Sequence, residues 1–358
     1  MINNRSQQTR FWLRYNFFGF ILLIWLSSAY PQSFRKYFIK EGAVTSSPSE
    51  LAFGTSVAVD AKQQLLISDC SSHNVFIYDK NGKYLQTLGS HGKGPGEFEC
   101  PYGVQVDRNG DIVVCDNGLR RLVRFDEKRA FKKSILVTGS HFMAKEFCFL
   151  PDNSIILAGY MEDFAHPMTG TSLQLYSAEG KHLYSFMPVP EHTFKTPLAY
   201  YSTAHIDVDS LRIIYAVSES DCMVHVFSSA GELLRTFSVK NSNYVKPPRY
   251  PDADRLFGMK IKERTVLDHS WTPFQRLIVH QDVIVTSMAK WNSGDDEATY
   301  YINIHRKDGT LIESDLSTPY KLLCKDHKGI FYFLEGKTED VDKPLQLAIG
   351  KYILRTAR

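Results

Sequence analysis

GSHGKGPGEFECPYGVQVDRNGDIVVCDNGLRRLVRFD, residues 89–126, carries the strongest fold signal in the chain. A glycine-rich connection (Gly89, Gly92, Gly94, Pro95, Gly96) leads into three short apolar runs, at 104–106, 112–115 and 122–125. Each run is rich in Val and Ile and is bounded by Gly, Asn or Asp, the pattern of strands joined by tight turns. No apolar period of 3.6 residues persists beyond one turn, which argues against a helix. The same pattern lies upstream in SVAVDAKQQLLISDCSSHNVFIYDKNGKYLQTL, residues 56–88, where VAVD matches VQVD, LLISD matches IVVCD and VFIYD matches LVRFD. Two four-stranded copies about 47 residues apart define a repeating β unit, and a repeat of this length is the signature of a β-propeller blade.

A second repeat extends the count. An aromatic or apolar residue, a three-residue gap and a glycine recur as Tyr78 and Gly82, Tyr176 and Gly180, Phe227 and Gly231, and His305 and Gly309. Each glycine supplies the positive φ that a compact hairpin turn needs. Strands placed around these turns give six units, near 56–88, 103–136, 144–187, 203–239, 274–316 and 320–355. The fold class is therefore all-β, a six-bladed β-propeller of four-stranded antiparallel blades over residues 45–358. FRKYFIK, residues 34–40, alternates in polarity, so the segment 30–44 is expected to lend an outer strand to the last blade and close the ring.

Residues 1–29 read as an export leader: Arg5, Arg10 and Arg14, the apolar run FFGFILLIWL at 17–26, then Ser27-Ser28-Ala29 as a small-residue cleavage site. Ten apolar residues are too few to cross ~30 Å of hydrocarbon as a helix. Cleavage is favoured over retention as an anchor and would leave no membrane span, and no cysteine sits there for a lipid anchor, so a periplasmic or secreted protein is expected. Loss of the leader removes three arginines and takes the formal charge from +3 to 0, so nothing in the mature chain calls for nucleic acid. Cys70, Cys100, Cys115, Cys148, Cys222 and Cys324 form no C-x-x-C pair, and spacing alone leaves their disulfide pairing open. Four of them (Cys115, Cys148, Cys222, Cys324) fall in expected strands and read as small buried hydrophobes.

GKGPGEFECPYGVQVDRNGDIVVCDNGLRRLVRFD, residues 92–126, resembles an NHL-type propeller repeat. The chain is similar, over about residues 45–355 and including its leader, to exported bacterial six-bladed β-propellers, also described as TolB-like. The resemblance implies the fold. Related propellers include enzymes, binding modules and scaffolds, so function must come from the site.

Connection lengths indicate which face works. In an up-and-down blade with strands a to d, the a–b and c–d turns share one face, and the b–c and d–a connections share the other. The a–b and c–d turns are all short. The long segments are the b–c insertions 160–171, 290–299 and 335–343 and the d–a links 188–203 and 240–273, all on the opposite face. Long loops in a compact domain are the usual carriers of function. They hold Phe164, His166, Trp291, Tyr200, Tyr201, Tyr244, Arg249, Tyr250 and Trp271, residue types that dominate interface energetics. Asp69 and Asp116, at matching ends of second strands, would form part of a carboxylate ring for a divalent cation in the central channel or for a polyol. An Asp in that place also caps a turn, and the frequency of Asp turn chemistry favours that role. Arg120 and Arg121 could pair with these acids, and His73 lies in the same loop as Asp69.

Gly92–Gly96 lacks the Lys-Ser/Thr and following helix of a phosphate loop. No G-x-S-x-G elbow is present. His73, His91, His141, His166 and His205 come from different blades without local metal-ligand spacing. The expected function is an exported, non-catalytic, monomeric propeller that needs no cofactor and binds a protein, peptide or glycan through its long-loop face. The alternative is a hydrolase or lyase, lactonase-like or metal-assisted, working at the channel mouth.

Overall fold

Alternating apolar residues on strands joined by Asp- and Gly-bearing turns give six four-stranded antiparallel sheets. The computed structural model describes residues 32–46, 54–137, 142–161, 171–188, 204–218, 221–247, 269–291, 297–338 and 346–355. Five blades are built from four consecutive strands each, and their inner strands are Gly54–Val59, Pro101–Val106, Phe142–Phe149, Ala204–Val208 and Phe274–His280. The sixth runs outward from Lys321–Lys325 through Ile330–Thr338 and Gln346–Leu354 to Phe38–Ser46. The chain thus closes its own ring: the N-terminal strand pairs antiparallel with the C-terminal one, Phe38 opposite Leu354 and Val44 opposite Ile349. That strand begins later than the alternation at 34–40 suggests, because Gln32–Tyr37 is a short helix. Phe34 and Tyr37 are buried on it, and Phe34 stacks on Phe38 at 4.9 Å and meets Phe333 edge-on.

The core lies between blades. Each hydrophobic cluster joins two neighbours: Val114 faces blade 1 with Leu66 and Ile77, while Val113 and Cys115 face blade 3 with Phe147 and Leu157. Second strands are therefore apolar on both faces, and Leu65–Asp69 and Ile112–Asp116 are buried throughout. Outer strands are half polar and carry the exposed apolar side chains of the rim, such as Leu136 and Leu233.

Turn chemistry repeats on the short-turn face. Asp60, Asp79, Asp107, Asp126, Asp209 and Asp326 each accept the backbone N–H groups two and four residues on. In the c–d turns the fourth residue has positive φ, +97° at Gly180. A Cβ there would lie 2.2 Å from Ile135 of the preceding blade, so both conformation and space demand glycine. Blade 2 is the exception: Arg129 takes φ 73° and its guanidinium donates to Gln64 Oε1 of blade 1 at 2.6 Å. Among the described residues no helix is long and apolar enough to cross a membrane.

Candidate functional site

Inner strands enter the disc from the face where the long connections attach. Each inner strand except that of blade 4 breaks register with its neighbour: the irregularity leaves Thr55, Tyr102, Lys145, Gln275 and Leu323 as the extra residue. In blade 4 the pairing from Ala204 to Val208 is continuous. Such bulges bend a strand and re-aim its side chains, and they favour barrel rims and active sites. Here they gather polar side chains at the channel mouth. The Lys145 ammonium lies 5.2 Å from the Tyr102 ring centre and 5.7 Å from that of Tyr160, and 3.4 Å from the Tyr102 hydroxyl.

Glu146 organises the mouth. It comes from blade 3, yet one carboxylate oxygen accepts from Arg276 of blade 5 at 2.5 Å while the other sits 2.8 Å from His205 Nδ1 of blade 4. Blades 3 and 5 are not neighbours, so this ion pair bridges across the channel. The pair is nearly dry, with the Glu146 side chain 10% exposed and that of Arg276 18% exposed. Burial pushes the Glu146 carboxyl up, but the Arg276 charge and the His205 hydrogen bond outweigh it and hold the group below the usual carboxylate range. His205 Nε2 lies 2.9 Å from the Phe274 carbonyl, so both ring nitrogens face an oxygen acceptor. Deeper in the channel, Asp207 accepts the Val279 N–H at 2.8 Å, and burial raises its carboxyl. Beside Arg276, Lys321 opens the inner strand of blade 6, and burial followed by the Arg276 charge lowers its ammonium.

Of the residues singled out in the sequence, His205 lies at this mouth, bonded to Glu146, and the others described do not converge on it. Asp69, His73, Asp116, Arg120 and Arg121 surround the link between blades 1 and 2. Asp69 accepts the N–H groups of Ser71 and Ser72, capping its own turn. Asp116, fully buried, accepts those of Glu99 and Cys100 and pairs with Arg121 Nε at 3.3 Å. Arg121 in turn donates to the carbonyls of Lys93, Gly94 and Glu97, so the glycine-rich segment turns its carbonyls inward to a guanidinium. A phosphate cradle would need the opposite polarity. Arg120 takes φ 50°, and its carbonyl accepts from Val137 N. His73 bonds through Nδ1 to the Glu99 carbonyl and stacks on His91 at 4.1 Å. The Cys70–Cys100 disulfide ties the same two blades. Cys115, Cys148, Cys222 and Cys324 are free thiols, which burial raises.

A second group lies between blades 4 and 5. Trp271 is 3% exposed, so its ring packs inside the protein rather than facing a partner. Tyr244 packs against the core there, and burial raises its phenol. Trp291 is half-buried and stacks flat on His269 at 4.8 Å, which leaves it as the sequence-proposed tryptophan with exposed surface. Phe164, His166, Tyr200, Tyr201, Arg249 and Tyr250 lie outside the described residues. So do most of the long segments, although the strand ends that they join all lie on one face. Among the described residues no group of three His, Cys, Asp or Glu side chains could hold a metal ion. The mouth residues Tyr102, Lys145, Glu146, Arg276 and Lys321 escaped the sequence reading because they share no motif. Their signal is a charged or aromatic side chain early in an inner strand, which requires the strands to be aligned as blades first.

A family model described as 6-bladed beta-propeller (DUF5128) matches residues 52–246. Protein brain tumor of Drosophila melanogaster is 33% identical over 88 residues, 24% of this chain and only 8% of that protein. Among solved structures, a member of the DUF4221 family from Bacteroides vulgatus superposes with TM-score 0.62 at 11% identity, covering 89% of this chain and 98% of that one. A gluconolactonase from Xanthomonas campestris gives 0.52 at 12% identity, covering 89% and 92%. Virginiamycin B lyase from Staphylococcus aureus gives 0.50 at 10% identity, covering 88% and 99%. At such identities these structural likenesses concern the fold alone.

Proposed function

Because the chain belongs to the six-bladed β-propeller family, we propose that it is an exported, non-catalytic recognition module that holds a protein, peptide or glycan on its long-connection face. The observation that carries this reading is the one-sided distribution of connection lengths. Every a–b and c–d turn is short, and every extended segment joins strand ends on the opposite face, around the channel mouth. The Glu146–Arg276 bridge across that mouth favours docking over the channel rather than turnover deep inside it. Export is supported by the leader-like residues 1–29 and by the Cys70–Cys100 disulfide, a bond that persists in oxidising compartments. The likeness to a lyase and a gluconolactonase does not carry their chemistry here, since it is one of fold.

The test is capture by the immobilised mature chain from periplasmic and culture extracts and on a glycan array, repeated with the His269→Ala/Trp291→Ala double variant. The expected outcome is a retained partner whose binding falls about tenfold or more in the variant, the scale of an interface hot spot. Capture that the double substitution leaves unchanged, or a turnover assay on captured material that yields product, overturns the proposal.

A further inference from the structure

The six inner strands carry an unequal set of charges. Lys145, Arg276, Lys321 and Lys325 stand against two carboxylates, Glu146 and Asp207. The carboxylates are already committed. Glu146 serves Arg276 and His205, and Asp207 accepts the backbone of Val279. Lys325, at the far end of its strand, donates to the Val279 carbonyl at 2.7 Å. Lys321 differs from these: half-buried beside Arg276, its ammonium makes no hydrogen bond or ion pair with the described residues. Arg276 itself keeps a buried Nε–H with no acceptor among the described residues, although another nitrogen of the same guanidinium holds Glu146. A buried guanidinium N–H without an acceptor is costly, and so is a like charge on the adjacent inner strand. Both costs vanish when one anionic group accepts from both.

Resting on the recognition reading above, we propose that the channel mouth is an anion-binding subsite in which Lys321 and the free Nε–H of Arg276 clasp a carboxylate group of the ligand. Lys145, held between Tyr102 and Tyr160, adds positive potential at the rim. Glu146 keeps the Arg276 guanidinium fixed, so the clasp is preorganised and the ligand supplies the missing acceptor. The carboxylate can come from an acidic sugar or from a peptide.

Calorimetric titration of the full mature chain with glucuronate and with N-acetylalanine separates the two sources. Glucose and N-acetylalaninamide are the neutral counterparts, and both arms are run at low ionic strength. At least one carboxylate should bind and its neutral counterpart should not. Lys321→Gln should weaken that binding about tenfold, and Lys321→Arg should restore most of it. A second readout needs no measurable affinity. Without added anion, Lys321→Gln should melt higher than the wild type, because it removes a charge repelled by Arg276. Excess carboxylate should raise the melting temperature of the wild type and not that of Lys321→Gln. Equal carboxylate responses in wild type and Lys321→Gln, or a lower melting point for that variant without anion, overturn the subsite. Macromolecular capture undiminished in Lys321→Gln would defeat this inference and leave the recognition reading intact. Carboxylate binding without any macromolecular capture would do the reverse.

Discussion

His305 occupies the place in its repeat that Tyr78, Tyr176 and Phe227 hold in theirs, near the end of a third strand and four residues before the glycine of the turn. It is 1% exposed beside Phe237, and neither ring nitrogen has a partner among the described residues. Burial, aided by the Lys240 charge, lowers the imidazole to about 4 from an ordinary value of 6.5. The unfolded chain takes up a proton near the ordinary value, whereas the folded chain resists it until the lower one. Stability contributed by the neutral ring is therefore whole above the ordinary value and is lost as pH falls through the window between the two. The loss is roughly 3 kcal/mol over that window. His305→Phe, which restores the aromatic of the other blades, should flatten this component. Urea denaturation of both proteins at neutral pH and near pH ~4 checks it, and an equal acid loss in the variant would refute the assignment.

At the scale of the element, the GKGPGEF link and the DNGLRR turn are two halves of one device. Asp116 fixes Arg121, and Arg121 gathers three carbonyls of the glycine-rich segment. The Arg121 side chain is 10% exposed and that of Asp116 is 0% exposed, so removing the guanidinium strands a buried carboxylate. Arg121→Ala should cost about 3–5 kcal/mol. It should leave ligand capture, measured well below the lowered melting temperature, within about twofold of the wild type. A variant that folds with full stability but loses capture would return Arg121 to the binding surface.

For the whole molecule, stability depends on a ring closed without a covalent link between its ends. Phe34, Phe38, Phe331, Phe333 and Tyr352 interlock where the N-terminal strand meets the last blade, with Phe34 and Phe38 at most 1% exposed. Phe38→Ala should destabilise by about 3–5 kcal/mol. Hydrogen exchange should show the loss first in the strands Phe38–Ser46 and Gln346–Leu354, because opening there exposes a sheet edge without breaking any other blade. Uniform loss of protection across all six blades would instead mean that the disc unfolds as one unit.

The number of blades, the approximate place of each and the side with the long connections were legible in the chain itself. Period-two alternation and turn residues are local properties, and antiparallel connectivity alone decides which connections share a face. The turn cap at Asp69 was legible for the same reason, whereas Asp116 reaches back to the N–H groups of Glu99 and Cys100, a contact between distant segments. The Cys70–Cys100 pairing, the burial of Trp271 and the bridge from Glu146 to Arg276 were decided only by tertiary structure. Each depends on how one blade is placed against another. Glu146 and Arg276 are 130 residues apart, and no spacing along the chain records that bulged inner strands of blades 3 and 5 aim them at one point.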